Sequence, residues 1–503
     1  MKLEQILQGL PTRSVTGPED PATLDITDIV YDSRKAVAGT LFVCMAGAET
    51  DGHKYARSAY DAGCRAFVLQ EGHEDIASLG DVPEAPTVIT VENSRAALAQ
   101  LSDNFFEHPS GDLKVIGITG TKGKTSITYI LQSVLNAAGV PTGLIGTAGA
   151  AWGGKQVPTV NTTPESYELQ KMLRQMADDG MRAVAIEVSS LGVKWHRTDF
   201  IEFFCGVFTN ISPDHIGGHE HDSYEEYYSF KKAFFSLCSR AAACGDDPSA
   251  RDMLEAVPGR KIFYGLGEEN EFRAVNMVPT RYDDFMGIRF DFLRDGTPAD
   301  TFEISLPGDF SVHNALAALS VCELMGLAPA AAKAGLRSVR VPGRCQIKYL
   351  SDEFGIIIDY AHNDISLAGI IETVRAYHPK RIITLFGSVG DRAQLRREEL
   401  GTTSGKLADF TVITEDDPGF EDPRRIAEEI ATYVEKAGGA GKYVVIPDRE
   451  EAVAYAVAML EPGDFLLCCG KGHERFMKVR GKKEPFNEET CIEEALAKRG
   501  IKL

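Results

Sequence analysis

Residues 115–125 read VIGITGTKGKT, an apolar run that ends in a glycine-rich turn and continues into a helical pattern. An apolar run without alternation is typical of a strand that is buried on both faces of a parallel sheet. The turn after it would present backbone N–H groups at the start of a helix, an arrangement that binds phosphate. This stretch therefore predicts an α/β fold with a nucleotide-phosphate site at the end of one strand.

Seven further apolar runs lead from a predicted strand into a polar or glycine-containing segment. They are AVAIEVSS (183–190), CGVFTNIS (205–212), GIIIDYAH (355–362), RIITLFGS (381–388), FTVITEDD (410–417), KYVVIPD (442–448) and FLLCCGKG (465–472). We interpret each as a parallel strand. Ligands of such sheets bind beyond the carboxyl ends of the strands, so the residues that end these runs are the candidates for chemistry.

The length of 503 residues favours three domains of about 150 residues each. Polar links at 107–112 and 339–344 carry Pro and Gly and mark two boundaries. The prediction is three α/β domains, each built on a mainly parallel or mixed sheet with flanking helices: 1–110, 111–341 and 342–503.

Two segments depart from the parallel pattern. Between about 261 and 307 the apolar residues alternate with polar ones, which predicts antiparallel strands at the edge of the middle domain. An Ala-rich stretch predicts one helix over 314–337.

Composition argues against several classes of function. The 73 acidic and 53 basic residues give a net charge of -20, which repels nucleic acid and anionic lipid. No apolar run reaches the roughly 18 residues of a membrane helix, and the first ten residues lack a signal-peptide pattern. The 10 cysteines show no repeated CxxC pair, so we expect reduced, mostly buried thiols. We expect a cytoplasmic protein without nucleic-acid or membrane partners.

The turn and the next strand suggest a nucleotide and a metal ion. Lys124 would reach the terminal phosphates and the Thr125 hydroxyl a Mg²⁺, although Ile118 stands where the strict phosphate-loop pattern has its first glycine. Glu187 ends its strand and is interpreted as a metal ligand, with a capping carboxylate as the alternative.

A predicted amphipathic helix carries two adjacent lysines. Ser223 and Glu226 form a capping box that would start this helix. Either Lys231 or Lys232 must point toward its apolar side, where desolvation lowers the pKa of the amine. Two surface lysines with buried stems remain the alternative. The histidines nearby, among them His215, are weak evidence for zinc because no cysteine accompanies them.

Eight motifs in order resemble the Mur ligases, and within that family the MurE class, which adds the third residue of the peptidoglycan stem peptide. The motifs are TGTKGKTS (119–126), NTTPES (161–166), EVSSLGVKWHR (187–197), FTNISPDH (208–215), VPGR (341–344), DYAH (359–362), GSVGDR (387–392) and GKGHE (470–474). The segment 32–55 also resembles the uridine-nucleotide domain of that class. The resemblance implies a central P-loop ATP-binding domain and a C-terminal Rossmann-like domain that binds the amino acid.

The resemblance also implies ATP and Mg²⁺ as cofactors. The implied ATP contacts are Gly120, Thr121, Lys122, Gly123, Lys124, Thr125, Ser126, Asn314, Arg344 and Asp359. The implied metal ligands are Thr125, Glu187, His215 and Lys231, and Lys231 matches the lysine that the family carbamylates. Ser311 stands where the family more often has Asn.

The implied substrates are UDP-MurNAc-L-Ala-D-Glu and a diamino acid, and we expect a monomer to bind them. Contacts to the first would be Ser33, Thr162, Thr163, Ser189 and Arg197, while Trp195 replaces a residue that is commonly polar. Arg197 would pair with a substrate carboxylate, or else form a surface ion pair. Contacts to the amino acid would be Arg392, Asp416, Asp417, Gly470 and Glu474.

Charge decides the expected reaction and the expected amine. A carboxylate must first become an acyl phosphate, which an amine then displaces. Family members that use meso-diaminopimelate usually carry Asp-Asn-Pro-Arg, whereas this chain has Asp-Asp-Pro-Gly at 416–419. An added carboxylate and a missing arginine favour L-lysine, with meso-diaminopimelate and L-ornithine as alternatives.

Three other functions compete with this expectation. A folylpolyglutamate or cyanophycin type of ligase would share the middle domain but has no need of the segment 32–55. A P-loop kinase or GTPase would share only the first motif. A non-catalytic homologue would bind nucleotide or precursor as a sensor, which the intact lysines and carboxylates argue against.

Overall fold

The computed structural model describes residues 1–47, 50–79, 82–214, 216–218, 220–283, 285–391 and 394–502. The chain divides into two compact units, one of residues 1–270 and 317–328 and the other of residues 271–316 and 329–503. The division into three domains stays a prediction.

The first unit begins with a five-stranded sheet in the order β1-β5-β4-β3-β2, in which only β1 is antiparallel. Its strands are β1 (Thr12–Thr16), β2 (Asp28–Val30), β3 (Thr40–Val43), β4 (Ala66–Gln70) and β5 (Thr87–Val91). Its helices are α1 (Leu3–Ile6), α2 (Ala56–Asp61), α3 (Glu74–Ala77) and α4 (Ser94–Phe105).

A second sheet of this unit carries the glycine-rich turn. Its strands are β6 (Lys114–Thr119), β7 (Thr142–Gly146), β8 (Gly149–Trp152), β9 (Lys155–Val157), β10 (Ala183–Glu187), β11 (Phe203–Phe208), β12 (Ala241–Cys244) and β13 (Lys261–Gly265). Their order is β13-β12-β11-β6-β10-β7-β8-β9. The strands run in one direction except for β8, which pairs antiparallel with both β7 and β9. The helices are α5 (Lys124–Ala137), α6 (Ser166–Asp178), α7 (Ser190–Lys194), α8 (Tyr224–Phe234) and α9 (Ala250–Met253). The antiparallel prediction is wrong for β13, which pairs in parallel with β12.

The second unit begins with three antiparallel strands, as the alternation predicts: β14 (Phe272–Tyr282), β15 (Phe285–Arg294) and β16 (Thr297–Ile304). Next in the chain are α10 (Phe310–Leu324) and α11 (Lys333–Ser338). The single helix predicted over 314–337 is therefore wrong. Gly326 at a φ of +75° and Pro329 interrupt it, because neither residue continues a helix.

The rest of this unit is a six-stranded sheet in the order β17-β18-β22-β19-β20-β21, parallel except for β17. Its strands are β17 (Gln346–Leu350), β18 (Phe354–Asp359), β19 (Arg381–Phe386), β20 (Phe410–Ile413), β21 (Tyr443–Val445) and β22 (Asp464–Cys469), and a hairpin follows as β23 (Phe476–Val479) and β24 (Lys482–Pro485). The helices are α12 (Asp364–Arg375), α13 (Gln394–Leu407), α14 (Pro423–Val434), α15 (Arg449–Ala458) and α16 (Glu488–Lys498).

Both faces of the six-stranded sheet are covered by helices, which confirms the α/β class. Cys469 packs with residues of α12 and α14, whereas its neighbour Cys468 packs with residues of α15 and α16. Successive side chains of a strand point to opposite faces, so a strand between two helical layers is apolar throughout. Among the described helices, none has both the length and the apolar character that crossing a membrane requires.

Candidate functional site

The glycine-rich turn is held against the end of β11. Gly120 has a φ of +147°, and a Cβ there would lie 1.9 Å from the Thr209 hydroxyl oxygen. The amide of Thr121 donates to the carbonyl oxygen of Asn210 at 2.9 Å. Only glycine combines this backbone with so close an approach. The neighbouring strand end therefore fixes the path of the turn.

The turn leads directly into α5, as predicted for a phosphate site. The Lys124 ammonium folds back and donates to the carbonyl oxygens of Gly120 at 2.8 Å and Thr121 at 3.1 Å. The other predicted contacts here are Gly123, which is the N-cap, Thr125 and Ser126, which are buried, and Lys122, whose amide donates to Asn210. An ammonium beside the N-terminus of a 14-residue helix favours a bound phosphate.

Glu187 ends β10 beside this helix and is fully hydrogen-bonded. One carboxylate oxygen accepts from the Thr125 hydroxyl at 3.0 Å and from the Thr147 hydroxyl at 3.1 Å. The other accepts from the Thr147 amide at 3.0 Å. Burial raises the pKa of this carboxyl, and the positive charge of Lys124 opposes the rise. A hydroxyl and a carboxylate are hard oxygen ligands, so these side chains fit Mg²⁺.

Lys231 is the buried lysine of α8. It is 2 % exposed, and its ammonium donates to the Gly120 carbonyl oxygen at 2.9 Å. The Tyr227 ring lies 4.7 Å from the ammonium, and its hydroxyl contacts the Thr121 hydroxyl at 3.0 Å. Burial holds the pKa of Lys231 well below its usual range, and the charge of Lys124 lowers it further.

The neighbouring Lys232 faces solvent, as expected for the second lysine of the pair. Its ammonium pairs with Asp252 at 2.8 Å and Glu255 at 2.9 Å. The Ser223 hydroxyl caps α8 by accepting the Glu226 amide at 3.1 Å. The cap sets the start of the helix, and the start decides which lysine turns inward.

The predicted contacts to the UDP-linked substrate surround the end of β10. The Thr163 hydroxyl donates to the backbone carbonyl oxygen of Glu187 at 2.9 Å and lies 3.1 Å from the Ser189 hydroxyl. Thr162 lies 3.0 Å from the Thr147 hydroxyl. Ser33 lies apart from them along the chain, in a short 3-10 turn, Ser33–Lys35, that follows β2.

Arg197 forms a largely buried ion pair within the protein. Its guanidinium pairs with Glu165 at 2.7 Å and donates to the Thr163 carbonyl oxygen at 3.1 Å. Arg95 reaches the same carboxylate at 3.5 Å and covers the Trp195 ring at 4.7 Å. The Nε of Arg197 is buried without a hydrogen-bond partner among the described residues. Two arginines that share one carboxylate retain positive charge for a substrate anion.

Sequence reasoning missed three residues at these places. Glu165 lies inside a quoted motif, but its letter alone did not reveal the pair with Arg197. Thr147 and Arg95 belong to no motif and become visible only through their contacts.

In the second unit, Asp359 ends β18 with both carboxylate oxygens occupied. They accept from the amides of Cys345 at 2.7 Å and Ala361 at 2.8 Å, and burial raises the pKa of the carboxyl. The Arg344 guanidinium lies over the Tyr360 ring at 4.9 Å. The third predicted nucleotide contact of this unit, Asn314, is buried on α10.

An acidic cluster follows β20 and β22, and a lysine lies at its centre. The Lys471 ammonium, fully buried, contacts Asp417 at 2.8 Å, Glu474 at 2.7 Å and Asp416 at 3.7 Å. Gly470 makes room for the cluster, because a Cβ there would lie 2.5 Å from an Asp416 carboxylate oxygen. Asp417 and Glu474, which the resemblance implies as contacts to the amino acid, are therefore already paired with a cation that the chain itself supplies.

Burial also affects the charge of this cluster. It raises the pKa of Asp416 to about 6, against the opposing charges of Arg449 and Lys471. Two other predicted site residues, His215 and Arg392, lie outside the described residues.

A further polar group lies in the N-terminal sheet region. Asp51 accepts from the Nδ1 atoms of His53 at 2.6 Å and His73 at 2.8 Å. The Nε2 atom of His53 accepts the Gln70 amide at 2.9 Å, so a neutral His53 must carry its proton on Nδ1. Both ring nitrogens of His53 are thereby used within the protein, which argues against a metal ion there.

Comparison with known proteins places these features in one family. The model of the Mur ligase middle domain matches residues 118–322, that of the Mur ligase glutamate ligase domain residues 343–472, and that of the Mur ligase family catalytic domain residues 25–106.

Two relatives are similar over nearly their whole length. The UDP-N-acetylmuramoyl-L-alanyl-D-glutamate--2,6-diaminopimelate ligase of Caldanaerobacter subterraneus subsp. tengcongensis is 35 % identical over 500 residues, covering 99 % of each chain. The enzyme of the same name from Clostridioides difficile is 35 % identical over 505 residues, covering 99 % of this chain and 100 % of the relative.

Solved structures share the fold. A UDP-N-acetylmuramoyl-L-alanyl-D-glutamate--2,6-diaminopimelate ligase matches with a TM-score of 0.71 at 22 % identity, covering 100 % of this chain and 99 % of that one. The MurF ligase of Thermotoga maritima in complex with ADP matches with a TM-score of 0.61 at 19 % identity, covering 94 % and 97 %. The glycine-rich turn, the carboxylate of Glu187 and the three domain matches all agree with these relatives. This chain therefore belongs to the Mur ligase family and is an ATP-dependent ligase that joins an acid to an amino acid in peptidoglycan synthesis.

Proposed function

We propose that this enzyme joins L-lysine to the D-glutamate of UDP-MurNAc-L-Ala-D-Glu. The relatives named above support the acid substrate, because their names specify the alanyl-glutamate precursor. The observation that carries the choice of amine is the acidic cluster, in which Asp416, Asp417 and Glu474 share the buried Lys471. The excess of negative charge attracts a side chain that ends in an ammonium.

The backbone at Gly419 also argues against a substrate with a distal carboxylate. Its φ is +61°, and a Cβ there would lie 2.0 Å from an Asp391 carboxylate oxygen. An arginine, which the diaminopimelate pattern places here, would meet both strain and that carboxylate. Position 419 therefore supplies no cation for the second carboxylate of meso-diaminopimelate.

The reaction follows from the groups around the phosphate turn. The substrate carboxylate attacks the terminal phosphorus of ATP, ADP leaves, and the resulting acyl phosphate loses phosphate when the neutral amine attacks its carbonyl carbon. Thr125 and Glu187 would hold Mg²⁺, which neutralises phosphate charge when bound. Lys124 offsets further negative charge and orients the phosphates.

We propose also that Lys231 carries a carbamate. The ammonium would first lose one proton to give the neutral amine, which would then add CO₂ and release a second proton. A cation would thereby become an anion near the metal ligands. The burial and the lowered pKa of Lys231 support this step. A carbamylated nitrogen keeps one N–H, which suffices for the bond to the Gly120 carbonyl oxygen.

Phosphate release with ATP, Mg²⁺ and UDP-MurNAc-L-Ala-D-Glu tests the amine in parallel reactions with L-lysine, L-ornithine and meso-diaminopimelate. We expect kcat/KM to be highest with L-lysine. A preference for meso-diaminopimelate, the second candidate that the relatives' names favour, would refute the charge argument and leave the acid substrate intact. No phosphate release with any amine would refute both.

A further inference from the structure

Three threonine hydroxyls and one carboxylate form a continuous line in the first unit. Thr125 contacts Glu187 at 3.0 Å, Thr147 contacts the same carboxylate oxygen at 3.1 Å, and Thr147 lies 3.0 Å from Thr162. The Thr147 amide holds the other oxygen of Glu187 at 3.0 Å. The line connects the proposed metal ligands to a proposed substrate contact, and neither the sequence motifs nor the comparisons assign a role to Thr147.

The direction of the hydrogen bonds follows from counting protons. An ionised Glu187 can only accept, so Thr125 and Thr147 each donate their single hydroxyl proton to it. The Thr147 oxygen must then accept from Thr162, whose own proton is used in that bond. The Thr162 oxygen thus offers only lone pairs to a ligand.

We propose that Thr147 is a positioning residue that couples the metal carboxylate to the substrate side and orients the Thr162 hydroxyl as an acceptor. The substrate group that meets Thr162 is then a donor, an amide N–H or a sugar hydroxyl, and not a phosphate or carboxylate oxygen. This inference rests on the proposed function, because it takes Glu187 as a metal ligand and Thr162 as a substrate contact.

The available space restricts Glu187 to this arrangement. A Cβ at Gly146, the residue before Thr147, would lie 2.1 Å from a Glu187 carboxylate oxygen, so the carboxylate packs directly on this backbone. Thr147 itself is exposed, and water competes for its hydroxyl. We therefore expect the contribution of an ordinary net hydrogen bond, about threefold to tenfold in a binding constant.

The experiment compares Thr147→Val, which keeps the shape and removes the hydroxyl, with Thr147→Ser, which keeps the hydroxyl. Calorimetry would measure the binding of UDP-MurNAc-L-Ala-D-Glu and, separately, the Mg²⁺ dependence of ADP binding, neither of which requires turnover. Thr159→Val is the matched control, because the Thr159 hydroxyl donates to the Gly146 carbonyl oxygen and thus bonds to the same turn outside the line.

We expect Thr147→Val to weaken both the binding of UDP-MurNAc-L-Ala-D-Glu and the Mg²⁺-dependent binding of ADP about threefold to tenfold. Thr147→Ser and the control Thr159→Val should bind both with nearly the affinity of the unmodified enzyme. Thr162→Val should weaken the binding of the UDP-linked substrate and leave the Mg²⁺-dependent binding of ADP unchanged, because the hydrogen bonds from Thr147 to Glu187 persist. An unchanged Thr147→Val, or a serine variant as poor as the valine variant, would overturn the inference. If the unmodified enzyme fails to bind the UDP-linked substrate, the proposed function fails, while the Mg²⁺ arm still tests the contact between Thr147 and Glu187.

Discussion

Lys231 and Lys232 are neighbours in the sequence with opposite environments. The helical pattern alone predicts that one of them faces the apolar side of α8, and the family resemblance names Lys231. The structure shows that Lys231 is the buried one. The choice depends on where the helix begins and on what packs against it, which composition does not specify. A substitution of Lys231 therefore tests its proposed role, and the same substitution of Lys232 is the matched control.

Replacement of Lys231 by alanine should abolish amide formation, because the proposed carbamate has no nitrogen on which to form. High bicarbonate should not restore activity to this variant. Lys232→Ala, which removes only surface ion pairs, should retain nearly full activity. Phosphate release measured for both proteins would contradict the carbamate if Lys231→Ala still turned over.

The raised pKa of Asp416 leads us to expect that the affinity for the amine depends on pH. Its pKa of about 6 means that the carboxyl gains a proton as the pH falls below that value. Loss of a negative charge weakens the attraction for an ammonium, so the KM for L-lysine should rise by up to about tenfold per pH unit below pH 6. Asp416→Asn should show a high KM without this inflection. A KM that stays level from pH 7 to pH 5 in the unmodified enzyme would rule out Asp416 as its determinant.

The burial of Lys471 is a property that its sequence motif does not predict. The motif GKGHE contains this lysine, yet the letters do not indicate whether its side chain points outward or inward. A buried lysine becomes acceptable only because Glu474 of the same motif and two aspartates from a distant segment, Asp416 and Asp417, surround it. The two aspartate partners are set by tertiary structure and could not be predicted from spacing.

At the level of elements, the parallel strands were the most predictable part of the chain. All eight apolar runs are strands of parallel pairing, because burial on both faces demands an uninterrupted apolar sequence. β13 was mistaken for an antiparallel strand because it stands at the border of the alternating segment. Its direction is decided by its neighbour β12, not by its own residues.

The glycines that flank α5 allow a matched test of the phosphate turn. In Gly120→Ala the backbone has a φ of +147°, and the added Cβ would lie 1.9 Å from the Thr209 hydroxyl oxygen. We therefore expect the free energy of unfolding to fall by about 3 kcal/mol or more and ATP-dependent activity to be lost. Gly139, beyond the other end of the helix, has a φ of +81°, and no atom lies near an added Cβ. For Gly139→Ala we expect the free energy of unfolding to fall by about 1 to 2 kcal/mol, with activity retained.

Urea unfolding and phosphate release would measure the two glycine variants side by side. Equal destabilisation, or an active Gly120→Ala enzyme, would show that the turn has more room than the structure indicates.

On the scale of the whole molecule, the thiols report how completely the cores exclude solvent. All ten cysteines lie within the part of the chain that the structure describes, where each is a free thiol; nine are buried, and Cys491 is half-buried. Burial raises the pKa of these thiols, as at Cys238, and so suppresses the reactive thiolate.

The native enzyme should therefore release at most about one equivalent of thionitrobenzoate from a disulfide reagent within minutes, and all ten thiols should react after denaturation. Several fast-reacting thiols in the native state would indicate that one of the cores opens readily.

The buried lysine of the acidic cluster has a consequence for an enzyme with a net charge of -20. Carboxylates of such a protein normally recruit potassium or sodium from solution, and those ions exchange with the medium. Lys471 is a counter-ion tethered by its own backbone, so buffer salt cannot replace it. The choice among diamino acids should consequently be the same in dilute buffer and at the ionic strength of a cell.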